Sequence, residues 1–172
     1  MRFIHHSDDE RTSRLRWVMS RLAEDPEQWT GIANAIAQVA DLGVVGLELE
    51  EQEVPQEVLD LLRRFPWSED EDAEVPAEVL KELQRHLVLQ HRGADGKDYR
   101  LASSQQSQGT LTWLATVGPA IDTLRLGQVL CIDELDASLH PTLTATLVDM
   151  FKDPDLNTRG AQIVFTTHDT AL

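Results

Sequence analysis

The chain has 172 residues and a formal charge of −15, because 30 acidic residues outnumber 15 lysines and arginines. Apolar residues make up 41% and charged residues 26%, which is typical of one soluble globular domain and excludes a disordered chain. The negative charge disfavours unaided binding to nucleic acid or to an anionic membrane. The sequence contains no apolar run long enough to span a membrane and no apolar signal peptide at its start, so we expect a cytoplasmic location.

The first half of the chain is predicted to be mainly helical, with a short strand. Apolar residues recur at helical spacing in two longer segments, and prolines open two shorter amphipathic ones. A run rich in valine and leucine predicts the strand. The predicted helices are 8–23, 29–40, 55–65 and 76–86, and the predicted strand is 42–49.

Most of the excess acid lies in two stretches of this half, at 48–60 and 68–82. Runs of like charge usually form solvated surfaces, and we favour that interpretation for both stretches. The alternative is a docking site for a basic partner.

The second half predicts a β-hairpin and then a long helix. Strands at 86–92 and 97–102 flank Asp95-Gly96, a strong turn signal. A polar stretch follows, and a helix is predicted over 110–126. The Gly118-Pro119 pair predicts an interruption and a kink in that helix.

The last part of the chain has the pattern of a parallel α/β sheet. Continuously apolar runs at 129–133 and 161–168 predict two buried strands, and a helix opened by Pro141 is predicted between them over 141–152. Strand, helix and strand in this order, with apolar strands, indicate parallel pairing. The single cysteine, Cys131, lies within the first of these strands and is predicted to act as a small buried apolar residue.

Two acids, Asp133 and Glu134, directly follow the apolar run VLCI. The carboxyl end of a parallel strand lies at the ligand-binding edge of such a sheet. Mg²⁺ prefers oxygen ligands and keeps most of its waters, so one carboxylate beside substrate phosphates is sufficient to hold it. Taken alone the pattern is weak, since a strand can simply end at a polar turn.

The order of motifs strengthens this interpretation. Residues SQGT, VLCIDE, LDASLHP and IVFTTHD follow one another, and the series resembles the C-terminal half of an ABC-type ATPase domain. More closely, it resembles AAA-family ATPases of the ABC/SMC/RecF-like branch, the AAA-type core-domain proteins of abortive-infection and overcoming-lysogenization-defect systems. The resemblance covers about 86–172, whereas 1–85 resembles only the variable helical insertion of that family.

The resemblance implies a fold and a set of roles. The fold is α/β, the C-terminal half of a P-loop NTPase parallel sheet flanked by helices, preceded by a mainly helical acidic region over 1–85. Asp133 would be the Mg²⁺ ligand, Glu134 the general base, and His168 the histidine that senses the γ-phosphate. The implied cofactors are ATP and Mg²⁺.

A second group of residues is implied to contact nucleotide across a dimer. Ser107, Gly109 and Thr110 would form the signature loop, which meets ATP held by the other subunit, and a serine and glycine at a positive helix end suit an anion. Asp136 and His140 would lie in the loop that crosses to the partner. Plainer interpretations stay open for single residues, such as helix capping by Ser107 or His140.

The phosphate-binding Walker A loop, GxxxxGK[ST], does not occur in the sequence. The Gly96-Lys97 pair is followed by Asp98 and lies in the predicted hairpin, so it does not supply one. In the family this loop lies far upstream. The chain is therefore expected to be part of a longer ATPase, one half of a split ATPase, or a non-catalytic module that kept the motifs.

Three functions follow. The favoured function is Mg²⁺-dependent ATP hydrolysis, with a Walker A loop supplied by missing sequence or by a partner subunit. The active form would be a homodimer or a complex with that partner, and the isolated chain is expected to be inactive. The alternative is a non-catalytic interaction or regulatory module. The third is a metal-dependent hydrolase or nuclease that uses Asp133, Glu134, Asp136 and His168, which the negative charge disfavours; nucleic acid is expected only through a partner.

Overall fold

The computed structural model describes residues 2–4, 8–31, 43–65, 67, 74–137 and 139–169. Its strands are β1 (Arg2–Ile4), β2 (Val44–Glu51), β3 (Arg85–Arg92), β4 (Asp98–Ala102), β5 (Val129–Ile132) and β6 (Gln162–Phe165). Its helices are α1 (Asp8–Glu24), α2 (Gln56–Leu62), α3 (Ala77–Gln84), α4 (Gln108–Leu126) and α5 (Pro141–Lys152). Residues 26–31 are also helical.

One sheet is parallel and has the strand order β1-β5-β6. The predicted strands β5 and β6 are found, although β6 ends at Phe165 and leaves Thr166 to His168 in a loop. The predicted burial of β6 is wrong, because it is the last strand of the sheet and none of its residues is buried. The first strand, β1, has only three residues, and no pattern in the sequence predicted it. Helices flank this sheet, as the α/β prediction requires.

The second sheet is antiparallel and has the order β2-β3-β4. The predicted hairpin is confirmed, with Gly96 at a φ of 78° in the turn, a conformation that glycine adopts freely. Glu48 and Glu50 of β2 both form ion pairs with Arg100 of β4. Part of the first acidic stretch is thus neutralised by an arginine that reaches across β3 from the far strand of the same sheet. Most of the acids of the second stretch lie outside the described residues.

Helix α4 is the central element of the core. It is buried on nearly all sides, with Trp113 and Thr116 fully enclosed. A β-carbon added at Gly118 would lie 2.6 Å from Cγ2 of Val18, so this glycine allows α1 to pack closely against α4. The helix runs without a break through Gly118 and Pro119, and the predicted interruption is wrong because packing on both sides holds the helix together.

Both sheets connect the two halves of the chain. Strand β1 pairs with β5, and β2 pairs with β3. One apolar cluster contains residues of both halves, among them Ile4, Val18, Trp29, Leu130 and Leu147. The division at residue 85 into two regions stays a prediction, and most of the predicted helix 29–40 lies outside the described residues.

The remaining predicted helices are found at α1, α2, α3 and α5 with small shifts at their ends. No helix within the described ranges is both long and apolar enough to cross a membrane.

Candidate functional site

The candidate site lies where β5 and β6 end. The two strands are parallel, and Ile132 is the register partner of Phe165 in the last pair. Asp133 and Glu134 follow β5 directly, and Thr166 to His168 follow β6. Because the carboxyl ends of parallel strands meet at one edge of a sheet, the two segments are brought together there.

Glu134 and His168 are close to each other at this edge. Oε1 of Glu134 lies 3.9 Å from Nε2 of His168, and the two side chains are 59% and 84% exposed. The pair is ionic only when the imidazole is protonated. Both groups are therefore open to a ligand that approaches from outside the sheet.

The backbone of Glu134 is unusual. Its φ is 51°, which makes it the one residue other than glycine with a left-handed backbone among the residues that the structure describes. For a residue with a β-carbon this conformation costs on the order of 1–2 kcal/mol. Backbone strain of this kind is often found at residues whose side chains act in a functional site.

The carboxylate of Asp133 is held on one side only. Its Oδ1 accepts a hydrogen bond of 2.6 Å from the hydroxyl of Thr166. The amide N–H of Asp133 donates to the carbonyl of Ile4 on β1. Within the described part of the chain Oδ2 accepts no hydrogen bond, so this oxygen is free to bind a cation.

Asp136 joins the loop after β5 to the loop after β6. Its Oδ1 accepts the amide N–H of His168 at 3.1 Å. A hydrogen bond with the Thr167 side chain, and secondarily the His168 amide, lowers the pKa of the Asp136 carboxyl below its ordinary value of 3.8. Asp136 therefore fixes the backbone that carries His168, while Leu135, which is fully buried, anchors the same loop in the core.

His140 caps helix α5. Its Nδ1 accepts the amide N–H of Thr142 at 3.3 Å, and Pro141 occupies the first turn. The sequence allowed two roles for His140, helix capping and contact with a nucleotide held by a partner subunit, and the structure shows the capping role. The two roles are compatible, since the residue is exposed.

The residues predicted to form the signature loop lie at the amino end of α4. Ser107 is the N-cap, and its Oγ accepts the amide N–H of Thr110 at 3.1 Å. The hydroxyls of Ser107 and Thr110 lie 2.8 Å apart. Thr110 is buried, whereas Ser107, Gln108 and Gly109 are exposed, so these three residues form the exposed surface of this helix end. His91 of β3 braces the loop through a contact of 2.9 Å between its Nε2 and Oε1 of Gln106.

The sequence identified Asp133, Glu134, Asp136 and His168, and the structure brings these four residues together at one edge. The sequence analysis gave no role to the two threonines that connect these residues, Thr166 and Thr167. The signal that could have found them is their position, since two hydroxyl residues stand between an apolar strand and a histidine.

The donor set suits a cation that arrives with its own ligands. No group of three or more histidine, cysteine or acidic residues in the described ranges could hold a metal ion by itself. Mg²⁺ is commonly bound by one or two carboxylates together with substrate phosphates, which matches the free oxygen of Asp133.

A parallel sheet flanked by helices, with acids at the carboxyl end of one strand and a histidine after the next, makes this an α/β domain and is consistent with a P-loop-like fold. The chain belongs to the AAA domain family described as "AAA domain, putative AbiEii toxin, Type IV TA system", whose sequence model matches residues 8–172. The match begins well before residue 86, so the family similarity extends through most of the first half as well. A search of curated proteins finds no match. Membership indicates a nucleotide-binding, ATPase-like function.

Proposed function

We propose that this chain supplies the hydrolytic edge of an ATPase of the ABC/SMC/RecF-like branch. Asp133 binds Mg²⁺, Glu134 is the general base, and His168 contacts the γ-phosphate. When bound, Mg²⁺ polarises a phosphoryl oxygen and orients the phosphates. Glu134 accepts the proton of the attacking water, and His168 donates a hydrogen bond to the phosphate on the same side.

The observation that carries this proposal is the separation of 3.9 Å between Oε1 of Glu134 and Nε2 of His168 at the carboxyl edge of a parallel sheet. A base and a phosphate-sensing group must reach the same phosphorus from one side. The two side chains come from the loops that follow neighbouring strands, both are exposed, and Asp133 directly precedes Glu134 in the chain.

The phosphate loop must come from outside residues 1–172, because the sequence has no GxxxxGK[ST]. The parallel sheet supports this. Phe3, Cys131 and Val164 are register partners across its three strands. Phe3 is 63% and Val164 57% exposed, and Cys131, expected to be buried, is half-buried. Parallel sheets are normally covered on both faces, so this open apolar face suits a further part of the ATPase.

The occupant that we assign to this face is the segment that carries the phosphate loop. Its lysine would complement the acids at the same edge, where His168 is the one basic side chain that pairs with Glu134 among the described residues. The open outer edge of β6 in the strand order β1-β5-β6 offers a place for its strand. The segment belongs either to missing sequence of this chain or to a partner subunit.

The signature loop is proposed to act on a second nucleotide. Ser107 and Gly109 are exposed at the amino end of a helix of 19 residues, where backbone N–H groups favour an anion. The buried hydroxyl of Thr110 supports the loop through Ser107, and Asp136 and His140 lie in the loop proposed to cross to the partner. Two ATPase units would then enclose two nucleotides.

The test is phosphate release from Mg²⁺–ATP by the chain mixed with a Walker A-bearing partner. Glu134→Gln keeps the size of the side chain but removes the base, and we expect a loss of about 10²-fold or more. Glu82→Gln, an exposed glutamate on α3, is the matched control and should leave the rate unchanged. An assembly that hydrolyses ATP equally well with Glu134→Gln would exclude Glu134 from the reaction.

The alternative function, a non-catalytic interaction module, is favoured by the missing phosphate loop alone. It predicts that the complex assembles equally well with and without ATP, and that Asp133→Ala leaves assembly unchanged. A dependence of assembly on nucleotide, lost in Asp133→Ala, would rule it out.

A further inference from the structure

We propose that Thr166 is a positioning residue that sets both acids of the site through a single hydroxyl. The inference deepens the proposed function and rests on it for the roles of the two acids. The positioning itself is a matter of hydrogen bonds that the structure contains.

The hydroxyl of Thr166 makes two hydrogen bonds in opposite senses. It donates to Oδ1 of Asp133 at 2.6 Å, and it accepts the amide N–H of Glu134 at 2.8 Å. A hydroxyl has one proton to donate and two lone pairs, so it can satisfy both partners at once. One atom therefore fixes the carboxylate of the first acid and the backbone of the second.

Thr166 is itself held firmly. Its amide N–H donates to the carbonyl of Ile132 at 3.1 Å, and its carbonyl accepts the amide N–H of Leu135 at 2.9 Å. Leu135 is completely buried. The hydroxyl thus stands on a backbone that both β5 and the buried part of the following loop fix in place.

This arrangement accounts for the left-handed backbone of Glu134. Such a conformation persists only where surrounding contacts determine it. Thr166 binds the amide on the amino side of Glu134, and the carbonyl of Glu134 accepts the amide N–H of Ala137 at 2.9 Å. With both ends of the residue tied, the side chain is directed toward His168 on the neighbouring loop.

A β-branched side chain at this position limits rotation about χ1, so the hydroxyl stays aimed at its partners. Valine keeps this shape and removes both hydrogen bonds. Serine keeps the hydroxyl and removes the methyl group. The two substitutions therefore separate the hydrogen bonds from the packing of the side chain.

The first measurement is amide hydrogen exchange by NMR on the full chain. In Thr166→Val we expect exchange at the Glu134 amide to rise about tenfold relative to amides within β5. Thr166→Ser should restore most of the protection. Thr146→Val, which removes an exposed hydroxyl bonded within α5, is the matched control and should leave the Glu134 amide unchanged. An unchanged Glu134 amide in Thr166→Val would overturn the inference.

The second measurement uses the assembly with a Walker A-bearing partner. Thr166→Val should lower kcat about tenfold or more with little change in KM, because the acids are present but misplaced. Thr166→Ser should recover most of kcat. A Thr166→Val assembly with wild-type kcat would overturn the inference. If the wild-type assembly hydrolyses no ATP, the proposed function fails, and the exchange experiment alone decides the positioning by Thr166.

Discussion

Replacing Glu134 by alanine and by glycine tests whether its backbone is strained in the folded protein. Both substitutions remove the carboxylate, so both lose the contact with His168 equally. They differ in the β-carbon alone, and the difference in stability between them reports on the backbone at this position.

The magnitude follows from the φ of 51° at Glu134. A residue with a β-carbon pays about 1–2 kcal/mol in this region, and glycine does not. Glycine gains more entropy on unfolding, which offsets about 0.5–1 kcal/mol of that advantage. We therefore expect Glu134→Gly to be more stable than Glu134→Ala by about 0.5–1 kcal/mol.

The assay is urea unfolding followed by tryptophan fluorescence, with the same pair of substitutions at Glu82 as a control. Glu82 is exposed within helix α3, where the order should reverse and glycine should be less stable than alanine by about 1 kcal/mol. Equal or greater stability of Glu134→Ala would refute the left-handed backbone, and with it the idea that contacts of Thr166 hold it.

Three further changes test the surroundings of the site. Arg2→Met leaves the buried Asp122 without its ion-pair partner and should lower the free energy of unfolding by about 2–3 kcal/mol, less than for a fully buried pair because Arg2 is 28% exposed. The double variant Arg2→Met with Asp122→Leu should regain most of this stability in urea unfolding. Additive losses from the two substitutions would contradict this expectation. Gly127 has a φ of 64°, and a β-carbon added there would lie 2.8 Å from a backbone oxygen, so Gly127→Ala should lower the stability by about 2 kcal/mol or more. Gly160 also has a positive φ but has open space around it, so Gly160→Ala should lower the stability by only about 1 kcal/mol. Equal melting curves for the two variants would contradict this difference. Because the pKa of Asp136 is lowered, its hydrogen bond with the His168 amide should be complete above pH 3.8 and should be lost as the pH falls through the lowered pKa. The NMR chemical shift of the His168 amide reports this loss. A loss of the hydrogen bond above pH 3.8 would contradict the prediction.

The motifs at the end of the chain were predictable because they are local. An apolar run that ends in Asp133 and Glu134, a helix opened by Pro141, and a second apolar run before His168 each depend on residues within a few positions of one another. The hairpin at Asp95-Gly96 is predictable for the same reason. Parallel pairing then follows from the strand, helix, strand order.

Other features depended on partners far away in the sequence. Strand β1 has three residues, too few for a periodic pattern, and it is a strand because β5 pairs with it. Helix α4 continues through Gly118 and Pro119 because its neighbours enclose it, although the local pair favours a break. In both cases long-range packing outweighs the local preference.

The sequence by itself predicted the α/β class of the second half and the acids and histidine of the candidate site, and it contains no phosphate-loop motif within these residues. The tertiary structure alone decided that Thr166 joins the two acids, that Glu134 has a left-handed backbone, and that one face of the parallel sheet is open. The physical reason is that these features arise from hydrogen bonds and burial between β1, β5 and β6, which are distant in the chain and meet only when the sheet forms.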